Sequence, residues 1–221
     1  MKQYTDTQLQ ENYEKFIDEL KSHFTGVRLE KLLHMYSEDE LGVELAIAPA
    51  SGKLHFHSAY RGGYIDHVLR VVQNSLMLKK LFLHGGGILE HDFADEELVF
   101  AAFHHDLGKL GDGKHSYYIP QSDKWAQDKK NEYFTINPKL QFMDVTDRAI
   151  LLLNRYGVTF TQNEQLGIML ADGLFNEQRK KYWVSYSQDF QLKTSLPYIL
   201  HWADWMSCRQ EHTVWDQISN I

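Results

Sequence analysis

The run FHHDLGK, residues 103–109, closes an uninterrupted apolar stretch, Leu98-Val99-Phe100-Ala101-Ala102-Phe103, on two histidines and an aspartate. A second acid, Asp204, stands in LPYILHWADWMS among Ile199, Leu200, Trp202, Ala203, Trp205 and Met206, a core-like setting. Burying an isolated carboxylate costs several kcal/mol even after relaxation, so each acid calls for a partner cation or a shifted pKa. No lysine or arginine is expected on the facing side of either segment, because Lys109 lies beyond Gly108. One divalent cation shared by Asp106 and Asp204 offsets both costs together. His67, in GGYIDHVLRVV, leans toward the same core, and neutral imidazole completes the coordination of a borderline metal. The candidate constellation is therefore His67, His105, Asp106 and Asp204.

Helices must hold these groups. Leu9, Tyr13, Phe16, Ile17, Leu20 and Phe24 recur at the three-or-four spacing of one helix face, with Thr5 or Asp6 as its cap. A short helix is predicted over 28–36. Residues 48–63, APASGKLHFHSAYRGG, then form a polar loop broken by Pro49 and three glycines. Ile65, Val68, Leu69, Val72 and Leu76 restore the helical period as far as about residue 83, where HGGG ends it. The next helix opens at Ala94 or Asp95 and is apolar all round, which predicts a central position. Between 108 and 140 the periodicity fails, EYFTIN reads as a short strand, and a two-stranded ribbon is expected in the 110–140 excursion. Helices resume over 144–156 and 163–174, and a last one runs from 195 past 209. The chain reads as one all-α, bundle-like domain, with the helices of residues 1–47 packed on a core over 48–212.

Three segments, AYRGGYIDHVLRV, AAFHHDLGK and HWADWMS, resemble the ordered H…HD…D signature of the HD-domain metal-dependent phosphohydrolase superfamily. The resemblance runs from about residue 49 to 209. It implies an HD-domain helical bundle with His67, His105, Asp106 and Asp204 as ligands of one divalent ion (Mn, Fe, Co, Ni, Zn or Mg), and hydrolysis of a phosphate ester or phosphoanhydride. Two-metal members carry further histidines between the HD pair and the final aspartate. Here that interval holds only His115 and His201, so a second ion would have to use Asp144 or Asp172. A single ion is expected.

An ion so held binds a water and a phosphoryl oxygen at once, lowers the water's pKa and neutralises charge growing on the phosphate. Asp106 or Asp204 is the candidate for orienting the water, and Lys109, Arg61 or His104 for steadying the departing phosphate. Lys109 resembles the lysine of HDxGK motifs and is open to two roles, pairing with substrate phosphate or with Asp106 itself. His104 points about 100° away from His105 on a helix, so it is a substrate contact or a packed residue. Arg61 and His57, in the loop, and Lys114 and Tyr117, past the HD pair, are the substrate-binding candidates, the tyrosine by stacking. Cys208 reads as a structural thiol, and His91 and His212 read as surface residues.

The formal net charge of −7 argues against a surface that grips long nucleic acid, and favours a small nucleotide such as a deoxynucleoside mono- or triphosphate in a local pocket. Two alternatives stay open. HSAYRGGYIDH also resembles the HD module of certain bacterial 3′-to-5′ exoribonucleases, which implies a phosphodiesterase or 3′-5′ exonuclease acting on short nucleic acid. The other alternative is a non-catalytic nucleotide-binding sensor. One cysteine forms no internal disulfide, no apolar run approaches the roughly 20 residues that span a bilayer, and the N-terminus lacks a signal-peptide profile. A cytoplasmic protein is expected, with a homo-oligomer compatible with the aromatic content.

Overall fold

The computed structural model describes residues 3–86, 92–185 and 187–219. Gly87 of the expected HGGG stop and His91 lie outside these residues. The protein is all-α, with a single two-stranded ribbon among the described residues. Helix α1 spans Asp6–His23, α2 Gly26–Met35, α3 Gly42–Ile47, α4 Gly63–His84 and α5 Asp95–His104. The ribbon pairs β1 (Tyr118–Pro120) antiparallel with β2 (Phe134–Ile136), Tyr118 opposite Ile136, and α6 (Lys124–Lys130) lies between the two strands in sequence. Then follow α7 (Val145–Arg155), α8 (Gln162–Leu170), α9 (Lys181–Val184) and α10 (Leu196–Ser219).

Local sequence explains the helix starts. Thr5 Oγ1 accepts the Gln8 N–H and the Gln8 side chain accepts the Thr5 N–H, a capping box that satisfies two donors otherwise left bare at the start of α1. Helix α5 has no polar face, and every residue from Leu98 to His104 is buried. It is the central element, enclosed by α4 and α8, with α10 lying along α4. Gly167 lets α8 come this close, since a Cβ there would meet Leu196 Cδ2 at 2.4 Å and Ala101 Cβ at 2.9 Å.

The apolar face of α1 joins the same continuous core. Phe16 and Phe24 make edge contacts with Phe103, and Phe24 also meets Phe100 edge-on. All four rings are out of water, and each contributes about 1.5–3 kcal/mol by burial. At the other end of the α1–α4 contact, Asp66 accepts from Tyr4 Oη (2.8 Å), Asn12 Nδ2 (3.1 Å) and Tyr60 Oη (2.5 Å). The loop before α4 is pinned as well: the Leu54 N–H donates to the Asn131 carbonyl, and Lys53 bridges Glu132.

The sequence predicts none of α3, α6 and α9, which are too short to show a period. Helix α8 stops at Leu170, four residues early, and a 3-10 turn over Gly173–Phe175 follows it. No described helix is long and apolar enough to cross a membrane.

Candidate metal centre

The central helix ends at His104, and the chain tightens into a 3-10 turn, Leu107–Leu110, with Asp106 at its start. Gly108 permits the turn to dock on α7: a Cβ there would lie 2.1 Å from the Val145 carbonyl oxygen. A 3-10 turn has about three residues per turn, so positions i and i+3 eclipse. Lys109 consequently stands over Asp106, its Nζ 2.6 Å from Asp106 Oδ2 and 2.8 Å from the Ala50 carbonyl oxygen. This corrects the expectation that no lysine faces the buried acids, and of the two roles open to Lys109 the structure shows the pairing with Asp106.

Three segments converge at this turn. His67 Nε2 lies 3.1 Å from Asp204 Oδ1 and 3.7 Å from Asp106 Oδ2. His105 Nε2 lies 3.6 Å from Asp106 Oδ2 and 3.8 Å from Asp204 Oδ1. Both nitrogens are buried; His67 Nε2 is within ion-pair distance of Asp204, whereas His105 Nε2 makes no hydrogen bond. Ligands at about 2.1 Å from one ion stand about 3.0 Å apart at a right angle and about 3.4 Å apart at the tetrahedral angle. The 3.1 Å contact falls in that range and the other three exceed it by a few tenths of an ångström, and His67, His105 and Asp106 form a buried group that could hold a cation.

The far sides of the two rings set their tautomers. His105 Nδ1 donates to the Ala102 carbonyl at 2.8 Å, and His67 Nδ1 donates to Glu211 Oε1 at 3.2 Å. Each Nε2 is left facing the carboxylates, with the hydrogen-bonded acceptor behind the ring that orients metal-binding histidines. Glu211 is itself held by Ser58 Oγ at 2.7 Å and approached by Arg70 Nε at 3.3 Å. Sequence reasoning missed it.

Burial alone would push the His67 imidazole down, but the Glu211 and Asp204 carboxylates hold it up, at about 10. A proton and a metal ion therefore compete for the same nitrogen. Burial would raise both aspartates. Instead the His67 contact and the charge of His105 keep Asp204 well below the carboxylate range, and the charge of Lys109, then of His105 and His67, lowers Asp106. Among the described residues, Asp204 has no lysine or arginine within ion-pair distance.

A cavity of about 540 Å³ opens over the cluster, lined in part by His57, Asp172, Asp204, Trp205, Cys208 and Arg209. Trp205 is 53 % exposed, so the α10 face around Asp204 is half open and not the closed core that its sequence suggests. A larger cavity, about 840 Å³, lies between α8 and residues 181–194, but its walls (Leu166, Tyr182 and Phe190 among them) carry no such set of imidazoles and acids.

His57 is drawn further in than a rim position, its ring centroid 4.6 Å from that of His67, and burial pushes its imidazole down to about 3. Tyr117 is half-buried, and burial raises its hydroxyl while neighbouring Lys109 opposes the shift. Asp172 faces the cavity, where the protein around it and the Asp106 carboxylate raise its pKa. Asp144 sits instead at the start of α7. His212 lines the cavity too, which corrects its reading as a surface residue. Cys208 lines it as well, its thiol pushed up by burial and by Asp204.

Three candidates are not brought to the cluster. His104 is fully buried between Phe100 (4.3 Å between centroids) and Tyr36 (6.1 Å, stacked), so it is a packed core residue with no path to a departing phosphate. Arg61 pairs with Asp6 at 2.9 Å and lines a separate cleft with Leu9, Val43 and Ile47. Lys114 is exposed in a turn whose backbone N–H donates to Asp112.

In comparisons with known proteins, the chain matches no protein-family model, no curated protein and no solved structure.

Proposed function

We propose that this protein is a metal-dependent phosphohydrolase of the HD type that acts on a small nucleotide, a deoxynucleoside mono- or triphosphate. One observation carries the reading. Two imidazoles, each locked from behind by an acceptor, turn buried Nε2 atoms toward two carboxylates 3.1–3.8 Å away. A metal-free hydrogen-bond network would use both nitrogens, yet His105 Nε2, facing two carboxylates, bonds to nothing, as a metal site would leave it.

His67, His105, Asp106 and Asp204 would hold the cation, and their nitrogen and oxygen donors suit Mn, Fe, Co, Ni or Zn. When bound, such an ion supplies Lewis acidity and an activated water. The chain's own residues do the rest. Lys109, anchored on the Ala50 carbonyl, fixes the Asp106 carboxylate and lowers the electrostatic cost of a phosphate beside two acids. Exposed Phe56, Phe175 and Trp205 give the cavity apolar walls for a base, and Arg209 adds positive charge.

The phosphodiesterase reading has one observation of its own. Phe56 carries Lys53 Nζ 5.6 Å from its ring centre, and Trp125 carries Lys130 Nζ at 4.9 Å, on the loop and helix joined through the Lys53–Glu132 bridge. Exposed aromatics with cations beside them are the elements on which short single strands stack.

The test is a metal assay of the purified protein followed by turnover of a nucleotide panel and of a labelled oligonucleotide. Phosphate or nucleoside release from nucleotides is expected. Shortening of the oligonucleotide alone selects the second reading, tight nucleotide binding without turnover selects a sensor, and a protein that takes up no metal refutes both hydrolases.

A further inference from the structure

We infer that the protein carries a second cation seat beside the first, a thiolate-containing one built by His57 and Cys208 with Asp204 as the shared wall. It goes beyond the proposed hydrolysis and does not depend on which phosphate compound is the substrate.

The loop before α4 folds His57 back against His67, with 4.6 Å between ring centroids, and is pinned around it. Ser51 Oγ donates to the His57 carbonyl at 2.6 Å. On the other side Ser58, at a φ of +41°, is tied by its hydroxyl to Glu211. A left-handed backbone at a non-glycine residue is held only where surrounding contacts demand it. The ring so placed has its Nε2 buried and without a hydrogen bond. A buried imidazole nitrogen in a polar cluster that bonds to nothing in the protein marks a place for a ligand.

Cys208 supplies the second donor. It follows Asp204 by one turn of α10, and its thiol, with no metal bound, donates to Asp204 Oδ1 at 3.6 Å. A metal bound at about 2.3 Å to sulfur and about 2.1 Å to oxygen holds those atoms about 3.6 Å apart at the tetrahedral angle. Ring nitrogens of His57 and His67 and the sulfur all lie within 4.8 Å of one another. His67 Nε2 already faces Asp106 and Asp204, so the donors left for a second ion are His57, Cys208 and the Asp204 carboxylate. The fourth position opens on the cavity, which both His57 and Cys208 line.

Charge favours occupancy. Asp204, with no lysine or arginine in reach among the described residues, can bridge two cations through one carboxylate. As the metal–sulfur bond forms, the S–H bond breaks and its proton leaves through the cavity to solvent, with no change in oxidation state. Imidazole and thiolate together select zinc or cobalt(II) over magnesium, calcium or manganese.

Cobalt(II) titration of the full chain, freed of metal by a chelator, tests this. Both seats give visible d–d bands, and only the second adds a thiolate-to-cobalt charge-transfer band in the near ultraviolet. Two cobalt ions per chain are expected. Cys208→Ser should lose the charge-transfer band, and His57→Ala should weaken the second ion's binding at least tenfold, while the first ion's d–d bands remain. In the unaltered chain, zinc but not magnesium should protect Cys208 from alkylation, a readout independent of any variant's folding. Visible bands without charge transfer, or equal alkylation with zinc and magnesium, overturn the second seat and leave the hydrolase reading standing. A chain that shows no cobalt bands at all overturns both.

Discussion

His104 and His105 are consecutive, yet they serve two different interiors, the aromatic core and the donor cluster. Their backbone bonding is nearly the same: Nδ1 of His104 donates to the Phe100 carbonyl at 2.6 Å, and Nδ1 of His105 to the Ala102 carbonyl at 2.8 Å. Both leave a buried, unbonded Nε2. What differs is the company of that nitrogen. Around His104 stand Tyr36, Phe100 and Phe103, whereas His105 faces two carboxylates. An orphaned ring nitrogen is a cost of roughly 1–3 kcal/mol in the first setting and a ligand position in the second. Residue type does not decide the role; the charge of the surroundings does.

The comparison breaks most sharply at the cluster. Asp106→Ala or His105→Ala should abolish retention of the ion held by His67, His105, Asp106 and Asp204, read by elemental analysis as one ion fewer per chain, with a loss of hydrolysis beyond the ~100-fold expected of an outer-sphere change. Full metal content in either variant would sink the assignment. His104→Ala should do the reverse, keeping its metal while losing about 3 kcal/mol of stability through the void left among aromatic rings, measured by the urea midpoint. Glu211→Gln should weaken metal binding roughly 10–100-fold, because the His67 ring loses its charged acceptor.

The pH dependence sharpens the contrast. The His104 imidazole, held down by burial at about 3, compares with about 6.5 in the unfolded chain. Its contribution is fully present above pH 6.5. As pH falls from 6.5 toward 3, the unfolded chain takes the proton first, and stability drops by up to about 1.4 kcal/mol per pH unit. His104→Phe should flatten that loss between pH 6.5 and 5; equal slopes would show that the wild-type ring charges in place. The smallest effect belongs to Arg61→Ala. Its partner Asp6 is 90 % exposed at the side chain, so less than about 1 kcal/mol and no change in turnover are expected.

Much of this arrangement is legible in the sequence. Apolar spacing marks α1, α4 and α5, and His67, His105, Asp106 and Asp204 stand out as polar groups on greasy segments. The Lys109 pairing is hidden because Gly108 looks like a helix stop, when the chain in fact continues in a tighter turn that eclipses 106 and 109. Glu211 is hidden for a different reason: in CRQEH it sits in a polar run that reads as a solvated face, and only the packing of α10 along α4 turns it onto His67. His57 lies in a loop, where no periodicity tells inside from outside.

The three donors around Asp66 bear on how the molecule can be divided. Tyr4 precedes α1 and Asn12 lies on it, while Asp66 is the residue before His67. A chain pared back to begin at the loop near residue 48 would strip that carboxylate of Tyr4 and Asn12 and bare Phe16, Leu20 and Phe24's side of the core. The leading helix is a brace for the first imidazole rather than a detachable appendage, and trimming it would blunt cation uptake without touching a single donor atom.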